Sequence, residues 1–256
     1  MGILTNHQLS FIFGLLGNIV SFFVFLAPVP TFCDIYKKKS SAGYHSIPYV
    51  IALCSATLLL YYGNLKPNGF LIITINSIGC VIEVSYLIVY LIYAPRKEKK
   101  FTLTLILVLN VGAFGTVMLV SNFLLTGFKR ISAVGWICAA YNLAEFVAPL
   151  SIMKKVITTK SVEFMSFSLS CSLTLCATMW FFYGLFIKDK FIALPNVVGI
   201  SFGITQIIIY LIYCGSKNKN TETTSEKHPV QPDQEILEVK MIVIYKSVES
   251  IESDIV

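Results

Sequence analysis

The sequence predicts an all-α membrane protein of seven transmembrane helices, on three observations. Of the 256 residues, 55% are hydrophobic and 13% are charged, whereas about 25% of the residues of a soluble domain are charged. The apolar residues form uninterrupted runs of helical length, which excludes a transmembrane barrel because barrel strands are short and alternate in polarity. The links between the runs are short and polar, so no soluble catalytic domain fits beside them. The predicted spans are residues 9–33, 46–63, 70–93, 102–126, 131–153, 165–187 and 191–214.

Basic residues concentrate in alternate links and predict the orientation. The positive-inside rule assigns the richer side to the cytosol, which leaves the N-terminus outside and the C-terminus inside. The net charge of +6 therefore indicates topology, and no nucleic-acid partner is expected. The richer side carries Lys37, Lys38, Lys39, Arg96, Lys97, Lys99, Lys100, Lys154, Lys155, Lys160, Lys217 and Lys219. The poorer side carries Lys66, Lys129, Arg130, Lys188 and Lys190.

Two further features bound the function. Residues 215–256 are polar and are predicted to form a disordered cytosolic tail. The seven cysteines lie mostly in apolar runs, with no CxxC pair and no histidine at metal-ligand spacing, so they are interpreted as small buried hydrophobes. No metal or other cofactor is expected.

An internal repeat separates the possible classes of seven-helix protein. At an offset of about 120 residues, FLAP (25–28) aligns with FVAP (146–149), and YLIY (90–93) aligns with YLIY (210–213). Two related halves with the substrate between them are typical of transporters. A G-protein-coupled receptor shares the topology but has no reason to show the repeat.

The repeat also predicts the domain organisation. Two three-helix units cover residues 9–93 and 131–214, and the helix at 102–126 links them. A three-helix unit enters and leaves the membrane on opposite faces, so one linking helix makes the two units parallel.

Polar residues inside the spans mark the candidate substrate site, because such groups are costly in a membrane and line pathways or join helices. Asn76 maps onto Asn196, near the middle of the third helix of each unit. The two carboxamides suit the adjacent hydroxyls of a sugar and carry no charge for an ion; bonding between helices is the alternative. Trp180 offers a flat apolar face to a pyranose ring and an N–H to a hydroxyl. The remaining candidate substrate-binding residues are Ser21, Val24, Ser55, Leu59, Asn142, Glu145 and Cys176.

Aromatic, acidic and proline residues near the span ends suggest gates and hinges. Tyr62, Tyr183 and Asp189 lie near the predicted outer ends, where a hydroxyl-to-carboxylate bond closes a gate; interface anchoring and a solvated loop are the alternatives. Three prolines lie near the predicted cytosolic ends, where a missing N–H permits a kink or hinge. These are Pro28, Pro48 and Pro149.

The acids within the spans, Glu83 and Glu145, do not form a catalytic set. No paired histidine, serine or second carboxylate recurs with them. An enzyme is therefore not expected, and facilitated diffusion is the simplest prediction.

Over residues 11–213 the chain resembles the plant SWEET (MtN3/saliva) family of sugar transporters. The matching strings are FLAPVPTF, KKKSSAGYHSIPYV, ITINSIGCVIE, APLSIM, TKSVEFMSFSLS, and WFFYG followed by ALPNV. The resemblance implies two parallel three-helix bundles joined by an inverting fourth helix. It also implies bidirectional, proton-independent sugar movement by alternating access, usually in homo-oligomers. The motifs are most similar to those of the sucrose-preferring plasma-membrane branch.

The same resemblance implies residue roles and shows departures. It gives Asn76, Asn196, Trp180, Ser21 and Ser55 pocket roles, and gives the tyrosines, the aspartate and the prolines above their gate and hinge roles. The family's fourth hinge proline is Ser166 here, and its first-half tryptophan is Leu59. Asn142 and Glu145 stand where sucrose-type members have small or apolar residues, and a carboxylate there either accepts hydroxyl protons or must be neutralised.

These departures leave three alternatives open. Hexoses compete with sucrose as substrate. A proton-coupled carrier that uses Glu145, and a non-transporting binding or sorting protein comparable to the PQ-loop receptors, compete with the facilitator. Independently of these departures, a hetero-oligomer with related transporters is the alternative to the homo-oligomer.

Overall fold

The structure, a computed structural model, describes residues 5–145, 147–163 and 165–214, and the side chains of 144–149 lie outside that description. Within these ranges the chain is nearly all helical and has no strand. The α-helices are α1 (Asn6–Leu26), α2 (Val29–Lys38), α3 (Ile47–Leu65), α4 (Phe70–Tyr93), α5 (Arg96–Ile106), α6 (Phe114–Leu124), α7 (Gly127–Glu145), α8 (Val147–Thr159), α9 (Phe167–Phe186) and α10 (Lys190–Cys214). One π-helical segment, Leu107–Ala113, lies between α5 and α6.

The prediction of an all-α membrane protein is confirmed. Large apolar side chains such as those of Phe23 and Val81 are exposed on the outer faces of the helices, as contact with lipid requires. The predicted span at 131–153 falls on α7 and α8, which flank residue 146. Six helical stretches of the described residues are long and apolar enough to cross a membrane: Asn6–Lys38, Ile47–Leu65, Phe70–Tyr93, Arg96–Leu124, Phe167–Phe186 and Lys190–Cys214.

The predicted span at residues 9–33 lies within one candidate membrane span, Asn6–Lys38, and that span is divided near Pro28, where the sequence predicts a kink or hinge. Helix α1 ends at Leu26, and α2 begins at Val29 after Pro28. The cause is local, because Pro28 has no N–H with which to continue the helical ladder. The chain turns instead through a bond from Ala27 N to Val24 O of 3.1 Å.

Helix packing divides the molecule into two halves of matching design, α1–α4 and α7–α10. In the first half α4 packs against both α1 and α3, and in the second α10 packs against both α7 and α9. The halves meet where α1 packs on α9 and α3 packs on α7. Exchanging each helix for its repeat counterpart turns one contact into the other, as a two-fold axis between the halves requires.

The linker, which comprises α5, the π-helical segment and α6, packs mainly on α3 and also on α7. Thr102 bonds to Ser46 with 2.6 Å between the hydroxyl oxygens. In the π-helical segment Asn110 Nδ2 donates to Val50 O at 3.3 Å. These bonds attach the linker to the start of α3.

Buried hydrophobic side chains pack differently at the two ends of the bundle. At the end that carries Tyr62 and Tyr183, called the tyrosine end, one core contains residues of both halves. At the opposite end, called the proline end, Phe32 belongs to a core of the first half and Met153 to a separate core of the second. The shared core consists of Cys54, Leu58, Tyr62, Leu71, Ile72, Val134, Cys138, Tyr183, Phe191 and Ile192.

Candidate functional site between the two halves

The two predicted pocket asparagines lie at matching places in the halves. Asn76 Nδ2 donates to Ile72 O at 2.8 Å, and Asn196 Nδ2 donates to Ile192 O at 2.7 Å. Both isoleucines belong to the shared core, so each carboxamide lies one helical turn from that core towards the proline end. A carboxamide has two N–H donors and an acceptor oxygen, so the bond to the carbonyl leaves one donor and the oxygen for a ligand.

Three other predicted pocket residues join α1 to α9. Trp180 Nε1 donates to Ser21 Oγ at 2.9 Å, and Ser21 Oγ lies 3.1 Å from Cys176 Sγ. Ser21 is buried and the other two side chains are half-buried. In this conformation the indole N–H is therefore used within the protein and is not available to a substrate hydroxyl.

Two glycines allow α1 to approach the aromatic rings of α9. A Cβ atom on Gly17 would lie 3.1 Å from Trp180 Cε2, and one on Gly14 would lie 2.7 Å from Tyr183 Cδ2. Small residues at helix contacts of this kind are typical of membrane proteins. The close approach places the tryptophan at the boundary of the two halves.

The remaining predicted pocket residues lie on helices that meet across the same boundary. Ser55 is buried on α3, and Leu59, one turn further along, packs against the shared core. Val24 on α1 and Asn142 on α7 are half-buried. Glu145 is the last residue of α7, and its side chain lies outside the described residues.

Asp189 accepts three donors in the loop before α10. Tyr62 Oη donates to Asp189 Oδ2 at 2.7 Å, Lys66 Nζ lies 2.9 Å from the same oxygen, and Phe191 N donates to Asp189 Oδ1 at 3.0 Å. Asp189 is 2% exposed. Because Tyr62 and Lys66 belong to the first half, this carboxylate bonds the two halves together at the tyrosine end.

Tyr183 makes the matching contact in the other direction. Its hydroxyl donates to the backbone carbonyl of Asn68, in the loop before α4, at 2.9 Å. Each predicted gate tyrosine therefore bonds to a loop of the other half. Tyr62 bonds to the loop before α10, and Tyr183 bonds to the loop before α4. The structure brings Tyr62 and Asp189 together directly, whereas Tyr183 has a backbone partner instead of the aspartate.

The predicted hinge residues lie at helix starts of the proline end. Pro28 precedes α2, and Pro48 is the second residue of α3, where its missing N–H costs no helical bond. Ser166 is the N-cap of α9, where its hydroxyl accepts from Leu169 N at 3.4 Å. Pro149 falls in α8, and its side chain lies outside the described residues.

Sequence reasoning missed three residues of this site. Lys66 was interpreted only as a topology charge, and a backbone acceptor such as that of Asn68 leaves no signal in the sequence. Pro195, inside α10 and directly before Asn196, had a clear signal, because a proline within a helix removes one backbone bond. The carbonyl of Phe191 consequently lacks its helical donor one turn before the carboxamide.

Comparison with known proteins agrees with the geometry of two halves. The family model described as "Sugar efflux transporter for intercellular exchange" matches residues 11–98 and 132–218, which lie largely in the two halves. The bidirectional sugar transporter SWEET9 of Arabidopsis thaliana is 60% identical over 220 residues, 86% of this chain and 85% of that protein. The bidirectional sugar transporter NEC1 of Petunia hybrida is 56% identical over 239 residues, 93% of this chain and 90% of that protein.

A solved structure shows the same fold. The 3.7 Å structure of a eukaryotic SWEET transporter matches with a TM-score of 0.76 and 36% identity, over 80% of this chain and 97% of that one. The chain belongs to the SWEET (MtN3/saliva) family, a family of transporters and not of enzymes.

Proposed function

We propose that the chain is a bidirectional sugar facilitator that works by alternating access. The observation that carries the proposal is the difference between the two ends of the bundle. The halves share one core and two tyrosine bonds at the tyrosine end, whereas the side chains that the structure describes at the proline end form one core in each half. A site beside Asn76 and Asn196 is therefore closed towards the tyrosine end. Alternating access requires such a state, in which the site is closed to one side of the membrane.

The chemistry of the boundary favours a neutral polyhydroxylated substrate. Two carboxamides at similar depth supply donors and acceptors from opposite halves, and the face of Trp180 packs against the C–H face of a sugar ring. The side chains of Asn76, Asn196 and Trp180 carry no formal charge. Because both halves contribute, sugar contacts persist while the halves rock.

The exchange between states follows from the same contacts. Opening the tyrosine end requires the bonds of Tyr62 and Tyr183 to break, and closing the proline end requires α2 and the start of α3 to move. Pro28 and Pro48 support such movement. The backbone hydrogen bonds of the helix are interrupted at Pro28, before α2, and those of α3 begin only after Pro48.

Sucrose is the proposed substrate, with hexoses as the competing one. The motifs resemble the sucrose-preferring branch, and the relatives above are named as bidirectional sugar transporters. Leu59 removes one aromatic face from the pocket, and the lost stacking lowers affinity for either sugar. This departure keeps hexoses as the competing substrate.

The orientation and location are also proposed. The basic residues of the proline end support a cytosolic position for that end by the positive-inside rule, so the tyrosine end and the N-terminus face outside. The plasma membrane and a homo-oligomeric assembly remain the predictions that the resemblance implies.

The test is uptake and preloaded efflux of radiolabelled sucrose and glucose in oocytes, at two external pH values, with surface protein quantified. The facilitator predicts movement in both directions that does not depend on pH. A glucose-only signal overturns the sucrose assignment. A surface-expressed protein that moves neither sugar overturns transport and favours a binding or sorting protein.

Glu145→Gln is the matched variant for proton coupling. Indifference of uptake to both the pH gradient and this substitution supports the facilitator. Uptake that requires the gradient and fails in the variant identifies a proton-coupled carrier instead.

A further inference from the structure

A shallow groove, largely open to the outside, lies along the outer face of the linker where α5 begins, and its volume is about 390 Å³. Its lining residues follow helical spacing and so form a single stripe on one face of the helix. They are Arg96, Lys99, Lys100, Leu103, Thr104 and Leu107.

One end of the groove is strongly cationic. Within the described residues no carboxylate lies within ion-pair distance of Arg96, Lys99 or Lys100. Glu98 is on the same turn but is not part of the lining. The positive end of the helix dipole adds to the field of these side chains, because Arg96 is the first residue of α5.

The other end of the groove is apolar. Leu103 is 51% exposed and Leu107 is 62% exposed, and both belong to the candidate membrane span Arg96–Leu124. The groove therefore changes from cationic to apolar along the direction in which the linker enters the membrane. Thr104, between the two parts, contributes a hydroxyl.

We propose that this groove binds one anionic phospholipid. The anionic head group, such as the phosphate and carboxylate of phosphatidylserine, binds to Arg96, Lys99 and Lys100. An acyl chain lies along Leu103 and Leu107. Charge complementarity excludes a neutral lipid as the preferred occupant. A free phosphate ion leaves the apolar half of the groove without a role.

The groove lies close to the contact between the linker and α3. Thr102, on the buried side of the same helix, bonds to Ser46 at the start of α3. A lipid on the outer face thus lies across α5 from the contact that holds the linker to the first half. The proposal does not depend on which sugar, if any, the protein transports.

The test is native mass spectrometry of the purified, delipidated full-length chain in detergent, with phosphatidylserine titrated against phosphatidylcholine. The variant is Arg96→Gln with Lys99→Gln and Lys100→Gln. A charge-matched control carries Lys37→Gln, Lys97→Gln and Lys154→Gln, three exposed cations of the same end outside the groove.

Wild type is expected to prefer phosphatidylserine, and the groove variant is expected to bind it about 100-fold more weakly, because each cation near an anionic lipid changes affinity about five-fold. The control is expected to bind as wild type does. Equal losses in variant and control overturn the proposal, since charge alone then explains binding. Equal affinity of wild type for phosphatidylcholine, or full displacement of the lipid by inorganic phosphate, also overturns it.

Discussion

Two tyrosines at matching positions of the repeat make the same reach across the molecule to different partners. Tyr62 donates to the carboxylate of Asp189, which Lys66 also contacts, whereas Tyr183 donates to the backbone carbonyl of Asn68. Hydrogen bonds to a charged acceptor are about twice as strong as neutral ones. The two bonds therefore have the same geometry in the repeat, but the bond of Tyr62 to Asp189 contributes more to the stability of the closed end than the bond of Tyr183 to Asn68. Five substitutions test that asymmetry.

Asp189→Asn is expected to have the largest effect. Asparagine keeps the size, one acceptor oxygen and the ability to cap α10, but it removes the charge that Tyr62 and Lys66 share. Because Lys66 is 21% exposed, the closed state is expected to lose about 2 kcal/mol rather than the larger cost of a fully buried pair. The ratio of closed to open protein then falls about 30-fold.

The population of the closed tyrosine end can be measured by double electron–electron resonance. Spin labels at Asn64 and Leu185, exposed positions on α3 and α9, report the separation of the halves. The exposed Cys33 and Cys214 are replaced by serine in every protein. An unchanged distance distribution in Asp189→Asn would mean that the carboxylate does not hold this end closed.

Removal of single hydroxyls compares the two crossings directly. Tyr62→Phe is expected to lower the stability of the closed state by about 1.5 kcal/mol, and Tyr183→Phe by about 1 kcal/mol, because only the first bond has a charged acceptor. The same spin-label distances give both values. A larger effect for Tyr183→Phe would reverse the asymmetry.

Lys66→Gln is expected to have a smaller effect. A partly exposed ion pair contributes about 0.5–1 kcal/mol, and Tyr62 still holds Asp189 in this variant. The effect of Lys66→Gln is expected to shrink in high salt, because salt screens the Lys66–Asp189 ion pair. The effect of Tyr62→Phe is expected to stay the same in high salt. Equal salt dependence of the two variants would show that Lys66 is not the source of the charge effect.

Asn68→Ala is expected to change nothing measurable. The acceptor for Tyr183 is the backbone carbonyl of residue 68, which alanine retains, and the Asn68 side chain is exposed. A spin-label distribution that differs from wild type would show that the side chain, rather than the backbone, contributes to closure.

The sequence predicted the helices and the symmetric pairs well, for a physical reason. Membrane spans require long apolar runs, and a repeat places equivalent residues such as Asn76 and Asn196 at similar depth. The sequence also predicts a kink or hinge at Pro28, because the proline is visible, but it does not give the bounds of the two helices on either side.

The sequence predicted a hydroxyl-to-carboxylate bond, which the structure shows between Tyr62 and Asp189. Other contacts between the halves lay beyond prediction because they depend on packing angles and rotamers. The bond from Trp180 to Ser21 requires α1 and α9 to approach as closely as Gly14 and Gly17 permit. The sequence does not distinguish Lys66 from the other cations of the loops, whereas the structure shows its ammonium group beside the carboxylate of Asp189. The repeat predicted which positions are equivalent but did not predict the bonds of Trp180 to Ser21 or of Lys66 to Asp189.

Sugar counterflow in proteoliposomes that contain equal amounts of purified wild type, Asn76→Ala or Asn196→Ala tests the proposed site most directly. With radiolabelled sucrose and glucose, wild type is expected to exchange sugar, and each variant is expected to exchange it at least about ten-fold more slowly, since each loses hydrogen bonds of about 1.5 kcal/mol to the substrate. A correctly folded variant that exchanges sugar at the wild-type rate would contradict the assignment of the paired carboxamides as the sugar site.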